Sequence, residues 1–303
     1  MRTTKEQIEK VIPLVSLDEM RTRPGQSTNH FEISPLDDFV MQMETFAKPH
    51  RHDFYMLLLI TGGSGKHDID FKTYEMHADM VYFTYPGQIH AWKELNNLTG
   101  YVLFFTSEFF TLRYNSNNLF EFPFFNYNQH LPYLDLEEAQ RSQFAYLFQK
   151  MLDEHSGRFS DKEKILKSYL NILLIEINRS YIPLTDQVAD KHSQMIVQKF
   201  EHLINEKFKV MKGVKDYAGR LCITPNYLNA VCTKVTGKSA GEHIRERIML
   251  EAKRLLLHSD NTVSEIAGEL NFDDNSYFCR FFKKYAQVTP EQFRKVHHRR
   301  VSP

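Results

Sequence analysis

The stretch VKDYAGRLCITPNYLNAVCTK, residues 214–234, comes round again as VSEIAGELNFDDNSYFCRFFKK, residues 263–284. Val214, Ala218, Gly219 and Leu221 recur as Val263, Ala267, Gly268 and Leu270; after a one-residue insertion, Tyr227 and Lys234 recur as Tyr277 and Lys284. In each copy a short helical run ends at a tight connection, GRLCITPN or GELNFDDN. A second helix then begins, with Thr224 or Asp273 as the expected N-cap and Pro225 at an early helical position. Such a pair is a helix-turn-helix, whose second helix can enter a DNA major groove. The copies are joined by SAGEHIRERIMLEAKRLLLHSD, where Ile244, Ile248, Ala252, Leu255 and Leu256 make a continuous apolar stripe and predict a rigid connecting helix.

The charge distribution agrees. The chain of 303 residues is neutral, yet from Lys212 onward it carries 16 Lys and Arg against 10 Asp and Glu, a surplus of +6 balanced by −6 in the remainder. A basic final third after an acidic body suits a polyanionic partner. The start MRTTKEQIEK has no apolar core, so no secretory signal is expected, and the longest aliphatic run, Met56–Ile60, is far too short to span a membrane. Cys222, Cys232 and Cys279 are odd in number with no CxxC pair, which fits free thiols in a reducing cytoplasm.

The segments ITPNYLNAVCTKVTGKS, RLLLHSDNTVSEIAGELNF, SYFCRFFKKY and TPEQFRK closely resemble the DNA-binding domain of AraC/XylS transcriptional regulators, over roughly the last hundred residues. The resemblance implies that one chain reads two successive major-groove segments. It places the DNA-contacting positions at Thr224, Pro225, Asn226, Asn229, Ala230 and Thr233 in the first copy. In the second it places them at Asn275, Ser276, Cys279, Arg280, Lys283 and Lys284. There are departures. Asn271 and Gln287 stand where the family favours Gly; Asn tolerates positive φ best among non-glycines, whereas Gln287 implies a different turn. Ala230 replaces a frequent Arg and Cys232 a frequent Phe, so base reading in the first copy leans on Asn226 and Asn229, suited to adenine.

Before residue 132 the chain reads as β. HDIDFKTYEM alternates Ile69 and Phe71 with polar residues, DFYMLLLI, DMVYFTY and GYVLFFTS are aromatic and branched runs, and TGGSG (61–65), PGQ (86–88) and NNLTG (96–100) are expected turns. Two helical stretches follow. Ser160 with Glu163 reads as a capping box at the start of the second, whose Ile165, Leu166, Tyr169, Leu170, Ile172, Leu173 and Ile177 predict either a seam between two copies or packing on the chain's own sheet. Residues 181–194 are polar and aperiodic and read as linker. Ile196, Phe200, Leu203 and Ile204 then mark one face of the first helix of the basic region.

PHRHDFYMLLLITGGSGKHDIDFKTYEMHADMVYFTYPGQIHAWKE resembles the cupin-like ligand-binding domain found at the front of this family. The resemblance implies a pocket around His50, His52, His90 and Trp92 for a small polar effector, a sugar among the candidates. Cupin enzymes bind metal through HxH, a Glu and a later His; Met56 stands where the carboxylate is expected, so no metal and no cofactor is assigned.

The expected fold is therefore α+β and multidomain. A cupin-like antiparallel β-barrel with a helical dimerisation segment occupies 1–185, a linker 186–194, and an all-α domain with two helix-turn-helix motifs 195–303. The expected function is a cytoplasmic, homodimeric, effector-modulated regulator or activator of transcription, binding operator DNA, with RNA polymerase a further partner and no membrane. The rival reading is a metal-dependent cupin enzyme with a helical interaction tail, which leaves the repeat unexplained.

Overall fold

The computed structural model describes residues 13–20, 30–40, 47–111, 119–127, 131–181 and 191–301. The described residues form two compact units, one within 13–181 and one within 191–301. Most of the expected linker, 182–190, lies outside the described residues; 191–194 are already helical.

In the first unit, β1 (Leu14–Val15) pairs in parallel with β3 (Arg51–His52). An antiparallel sheet is built from β2 (Phe31–Pro35), β4 (Tyr55–Ile69), β6 (Met80–Thr84), β7 (His90–Phe105) and β8 (Tyr133–Asp135), in the order β2-β7-β4-β6-β8. The short α1 (Leu36–Val40) follows β2, and β5 (Lys72–His77) pairs with the outer half of β4.

Two expected turns prove to be strand. The segments 61–65 and 96–100 pair with each other inside β4 and β7, through register shifts at Ile60/Gly62, Gly62/Ser64 and Ser64/Lys66. Their glycines are there for close approach: a Cβ on Gly63 (φ 84°) would lie 2.3 Å from the Asn97 carbonyl oxygen, and one on Gly100 would lie 2.0 Å from that of Leu59. Conversely, HDIDFKTYEM is not one strand. Asp70 takes a left-handed conformation (φ 52°), turning the chain so that Ile69 pairs with Lys72 and Phe71 is exposed. The turn at 86–88 is found, with Gly87 at φ 79°.

Both faces of the sheet are buried, and the period of two sorts the side chains between them. Leu57, Leu59, Val81, Phe83, Leu103 and Phe105 pack with α2 (Ser107–Thr111), α3 (Glu138–Ser156) and α4 (Lys162–Ser180). Met56, Leu58, Ile60, Tyr82, Val102 and Phe104 enclose an inner core with Met20, Phe39 and Trp92. The stripe of α4 divides: Leu166, Leu170, Leu173 and Ile177 are wholly buried in their own unit, while Ile165 and Ile172 are 39% and 44% exposed. Asp161, not Ser160, is the N-cap of α4 and makes no side-chain cap bond; Glu163 pairs instead with Lys167 at 2.6 Å.

The second unit is helical: α5 (Lys191–Lys207), α6 (Val214–Arg220), α7 (Pro225–Thr236), α8 (Ala240–His258), α9 (Val263–Glu269), α10 (Asn275–Ala286) and α11 (Pro290–Val301). The expected stripe of α8 is buried throughout, as are Ile196, Phe200 and Ile204 of α5. Apolar periodicity does not reveal that α8 also buries charge. Glu251 accepts hydrogen bonds from Arg247 at 3.1 Å and Arg254 at 3.4 Å, and Arg247 donates to Asn205 of α5 at 2.9 Å. The charges are tolerable there because each finds partners.

Candidate ligand pocket and DNA interface

The inner core of the first unit collects four histidines. β3 supplies His52, with His50 just before it; β4 carries His67 two residues before its end; β7 opens with His90 and, two residues on, Trp92. Backbone bonds between His50 and His90 (3.1 and 2.9 Å) and the pairing of His67 with Trp92 hold these segments side by side. The imidazoles of His50, His52 and His67 lie 4.4, 4.9 and 5.2 Å from that of His90, centroid to centroid.

Burial pushes all four pKa values down, His52 to about 3 and His67 and His90 well below the ordinary value, so these rings are neutral at physiological pH. His52 donates from Nδ1 to the Phe54 carbonyl (2.8 Å) and accepts from the Thr84 hydroxyl at Nε2 (3.3 Å). His67 Nε2 and His90 Nδ1 share one hydrogen bond of 3.0 Å, and His67 Nδ1, His90 Nε2 and Trp92 Nε1 have no hydrogen-bond partner among the described residues. Buried polar atoms left in this state mark a place where something polar belongs. A small cavity lies there, lined by Met20, Phe39, His50, Met56, His90, Trp92 and Phe104.

Three of the four expected ligand residues therefore line one cavity. His52 stands behind it with both nitrogens engaged. His67 was not picked out by sequence because it belongs to no recognised spacing; only the fold brings it to His90. Met56 lines the wall where a metal site would need its carboxylate, and among the described residues no three His, Cys, Asp or Glu side chains are placed to hold a metal ion. The donor set does not fit a cupin metal centre.

In the second unit the two copies of the repeat have the same backbone. Cys222 (φ 56°) and Asn271 (φ 55°) are both left-handed, and the next amides, Ile223 and Phe272, donate to Ala218 and Ala267 at 3.0 and 2.9 Å. Thr224 caps α7, accepting from the Tyr227 amide, with Pro225 behind it. Asp274, one residue after the expected Asp273, caps α10 by accepting from Ser276 (2.9 Å) and Tyr277 (3.1 Å); the inserted residue has shifted the cap. Gln287 (φ 62°, ψ 0°) makes the same left-handed stop as Gly237 (φ 73°, ψ −1°), so the different turn expected at Gln287 is absent.

Asn226, Ala230 and Thr233 on α7, and Asn275, Ser276, Arg280, Lys283 and Lys284 on α10, are exposed. Cys279 is half-buried beside Asn275. Asn229 is different: its side-chain oxygen accepts from the Ala240 amide at 3.0 Å, tying α7 to α8, so the side chain is already engaged within the unit. Tyr227 and Tyr277, matched by the repeat, are exposed on the first turns of the two helices and lie outside the expected contact set.

Residues 217–296 match the family described as Helix-turn-helix domain, and residues 40–162 match AraC-like ligand binding domain. The chain belongs to the AraC family of transcription regulators. It is 21% identical over 253 residues to the HTH-type transcriptional activator RhaR of Escherichia coli O1:K1 / APEC, covering 84% of this chain and 88% of that one. Among solved structures it is similar to the C-terminal domain of the response regulator yesN of Fusobacterium nucleatum subsp. nucleatum ATCC 25586 (28% identity, TM-score 0.31, 35% of this chain and 99% of that one). It is also similar to ToxT of Vibrio cholerae (15% identity, TM-score 0.40, 88% and 98%). This AraC-family regulator thus joins an effector-binding unit to a DNA-binding one, and its activity on DNA is modulated by ligand. Among the described residues no helix is long and apolar enough to cross a membrane.

Proposed function

We propose that this regulator is a cytoplasmic, homodimeric activator without enzymatic activity, whose effector occupies the cavity beside His50, His90 and Trp92. Its domains run from 1 to about 185 and from about 195 to 303. α7 and α10 lie in successive major-groove segments of an operator, and RNA polymerase is a candidate partner at the promoter. The observation that carries the DNA reading is the identical turn geometry of the two copies, each followed by a capped helix with an exposed polar face. The pocket reading is supported by His90 and Trp92, which line the cavity and each keep a buried ring nitrogen with no hydrogen-bond partner among the described residues. A small ligand with an apolar face and a polar edge suits a cavity walled by Met20, Phe39 and Phe104 and shared with His90 and Trp92; a sugar is one candidate.

Selection of duplexes from a random pool by the full chain tests the DNA half. Two enriched blocks, centred about ten base pairs apart, are expected; a single block or no enrichment refutes it. Trp92 is the only tryptophan, so its emission tests the cavity: candidate sugars should perturb it saturably, and less so in His90→Ala.

A further inference from the structure

The covalent path between the two motifs is α8 and the 259–262 connection, and the contacts that hold the second motif to that path come from α10 and α11: Arg245 lies 5.4 Å from the ring of Tyr285, and Arg294 donates to the Leu256 carbonyl at 3.0 Å. A second link bridges them. The segment leading from α5 into α6 lies against the turn of the second motif. Lys209 pairs with Glu269, the last residue of α9, at 3.0 Å. Lys212 donates from Nζ to the backbone carbonyl of Asn271, the left-handed turn residue, and stands 3.9 Å above the ring of Phe272. That ring in turn supports α10, with Phe278 at 5.2 Å, Phe281 at 5.4 Å and Tyr277 at 5.8 Å. The repeat did not disclose this link: aligning Val214 with Val263 sets Lys212 against Asn261, a residue of different chemistry.

We propose that residues 209–212 are a strut between the two motifs, and that Lys212 is the positioning residue that holds α10 in register with α7. The inference rests on both helices reading DNA. The ammonium is bonded to a carbonyl, faces an aromatic ring and has lost enough water to push its pKa down, with Asp273 opposing, so Lys212 is built into the unit as an anchor. It acts on geometry: each base pair of spacing between the two DNA segments rotates the second by about 34°, and only a rigid pair of readers can refuse the wrong rotation.

The test uses the full chain and duplexes carrying the two selected blocks at their natural spacing or with one or two base pairs added or removed. The wild type should bind the natural spacing about tenfold more tightly than its neighbours, the effect of a poor base-pair match. Lys212→Met should reduce that preference to about threefold or less, on the same scale, while leaving affinity for a duplex with only the first block unchanged. Lys212→Arg should restore the preference, and Glu269→Gln should weaken it partly. A wild-type spacing profile in Lys212→Met overturns the strut and leaves the two-reader function standing. Equal weakening on every duplex, random ones included, also overturns it, by making Lys212 a phosphate contact. A wild type indifferent to spacing defeats the two-reader function itself. Should Lys212→Met not fold, Lys209→Met with Glu269→Gln gives the same decision from the exposed side of the strut.

Discussion

Cys222 and Asn271 hold the same left-handed backbone, at φ 56° and 55°, one in each helix-turn-helix. Asn supports that conformation through its short polar side chain; Cys has no such means and carries the steric penalty. Cys222 is exposed, so its side chain contributes little packing in return. Cys222→Gly should raise stability by about 0.5–1 kcal/mol, read as a higher denaturant midpoint at unchanged slope. Gln287→Gly should act in the same direction. A loss of stability in Cys222→Gly would show that the thiol makes a contact that matters.

Leu173 and Ile172 are neighbours with opposite surroundings. Leu173 is wholly buried in its own unit, so Leu173→Ala should cost about 2–5 kcal/mol, and Leu173→Glu should unfold the unit rather than separate subunits. If the exposed side of α4 joins two copies, Ile172→Glu should yield a folded monomer. Sedimentation with near-ultraviolet circular dichroism distinguishes the cases, and a dimer persisting in Ile172→Glu would move the seam elsewhere.

The histidine cluster makes the first unit acid-sensitive. A histidine whose folded pKa lies below its unfolded value near 6.5 is neutral in the native state, so the unfolded chain binds the extra proton as pH falls. Stability is therefore full above about pH 6.5 and lost progressively below it, each such ring adding a slope of up to about 1.4 kcal/mol per pH unit. For His52 the loss continues toward its folded value of about 3. Urea unfolding followed by Trp92 emission between pH 7.5 and 5 should show the midpoint falling, less steeply in His52→Leu. A flat profile in the wild type contradicts neutral histidines.

Arg280 is 71% exposed and only loosely engaged by Asp274 at 3.9 Å, leaving its guanidinium available to a guanine edge. Arg280→Ala should cost about 1–3 kcal/mol on selected DNA and little on random DNA. Asn229→Ala should behave in the reverse way, lowering stability through the lost tie to Ala240 more than it alters sequence preference. Equal losses on both DNAs for Arg280→Ala would reduce it to a phosphate contact.

The repeat and the apolar stripes made the second unit legible almost residue by residue, because a helix writes its buried face at fixed intervals. The misplaced N-cap at Asp273 differs by one residue because two aspartates stand side by side. The β unit was legible as strands but not as pairings. TGGSG and NNLTG have turn composition, yet each is the other's partner, and glycine is needed there for close approach between chains far apart in sequence. The pocket was half legible: His50, His90 and Trp92 sit in recognisable spacings, whereas His67, Met20, Phe39 and Phe104 reach the cavity only through tertiary folding. Lys212 left no sequence signal at all, since its partners are a backbone carbonyl and a ring sixty residues away.

The buried connector has a further meaning when measured. α8 has 19 residues, which at 1.5 Å per residue makes it about 28 Å long, close to the roughly 34 Å that separates equivalent faces of a DNA duplex one turn apart. On the two-reader function proposed above, it works as a ruler whose length is written in covalent bonds. Point substitutions can retune which bases each end reads, but they cannot change the span; that requires residues to be added or removed inside a helix whose Arg247, Glu251 and Arg254 are all committed. A single-residue insertion would turn every buried position by about 100°. Operator spacing in descendants of this chain should therefore be far more constant than operator sequence.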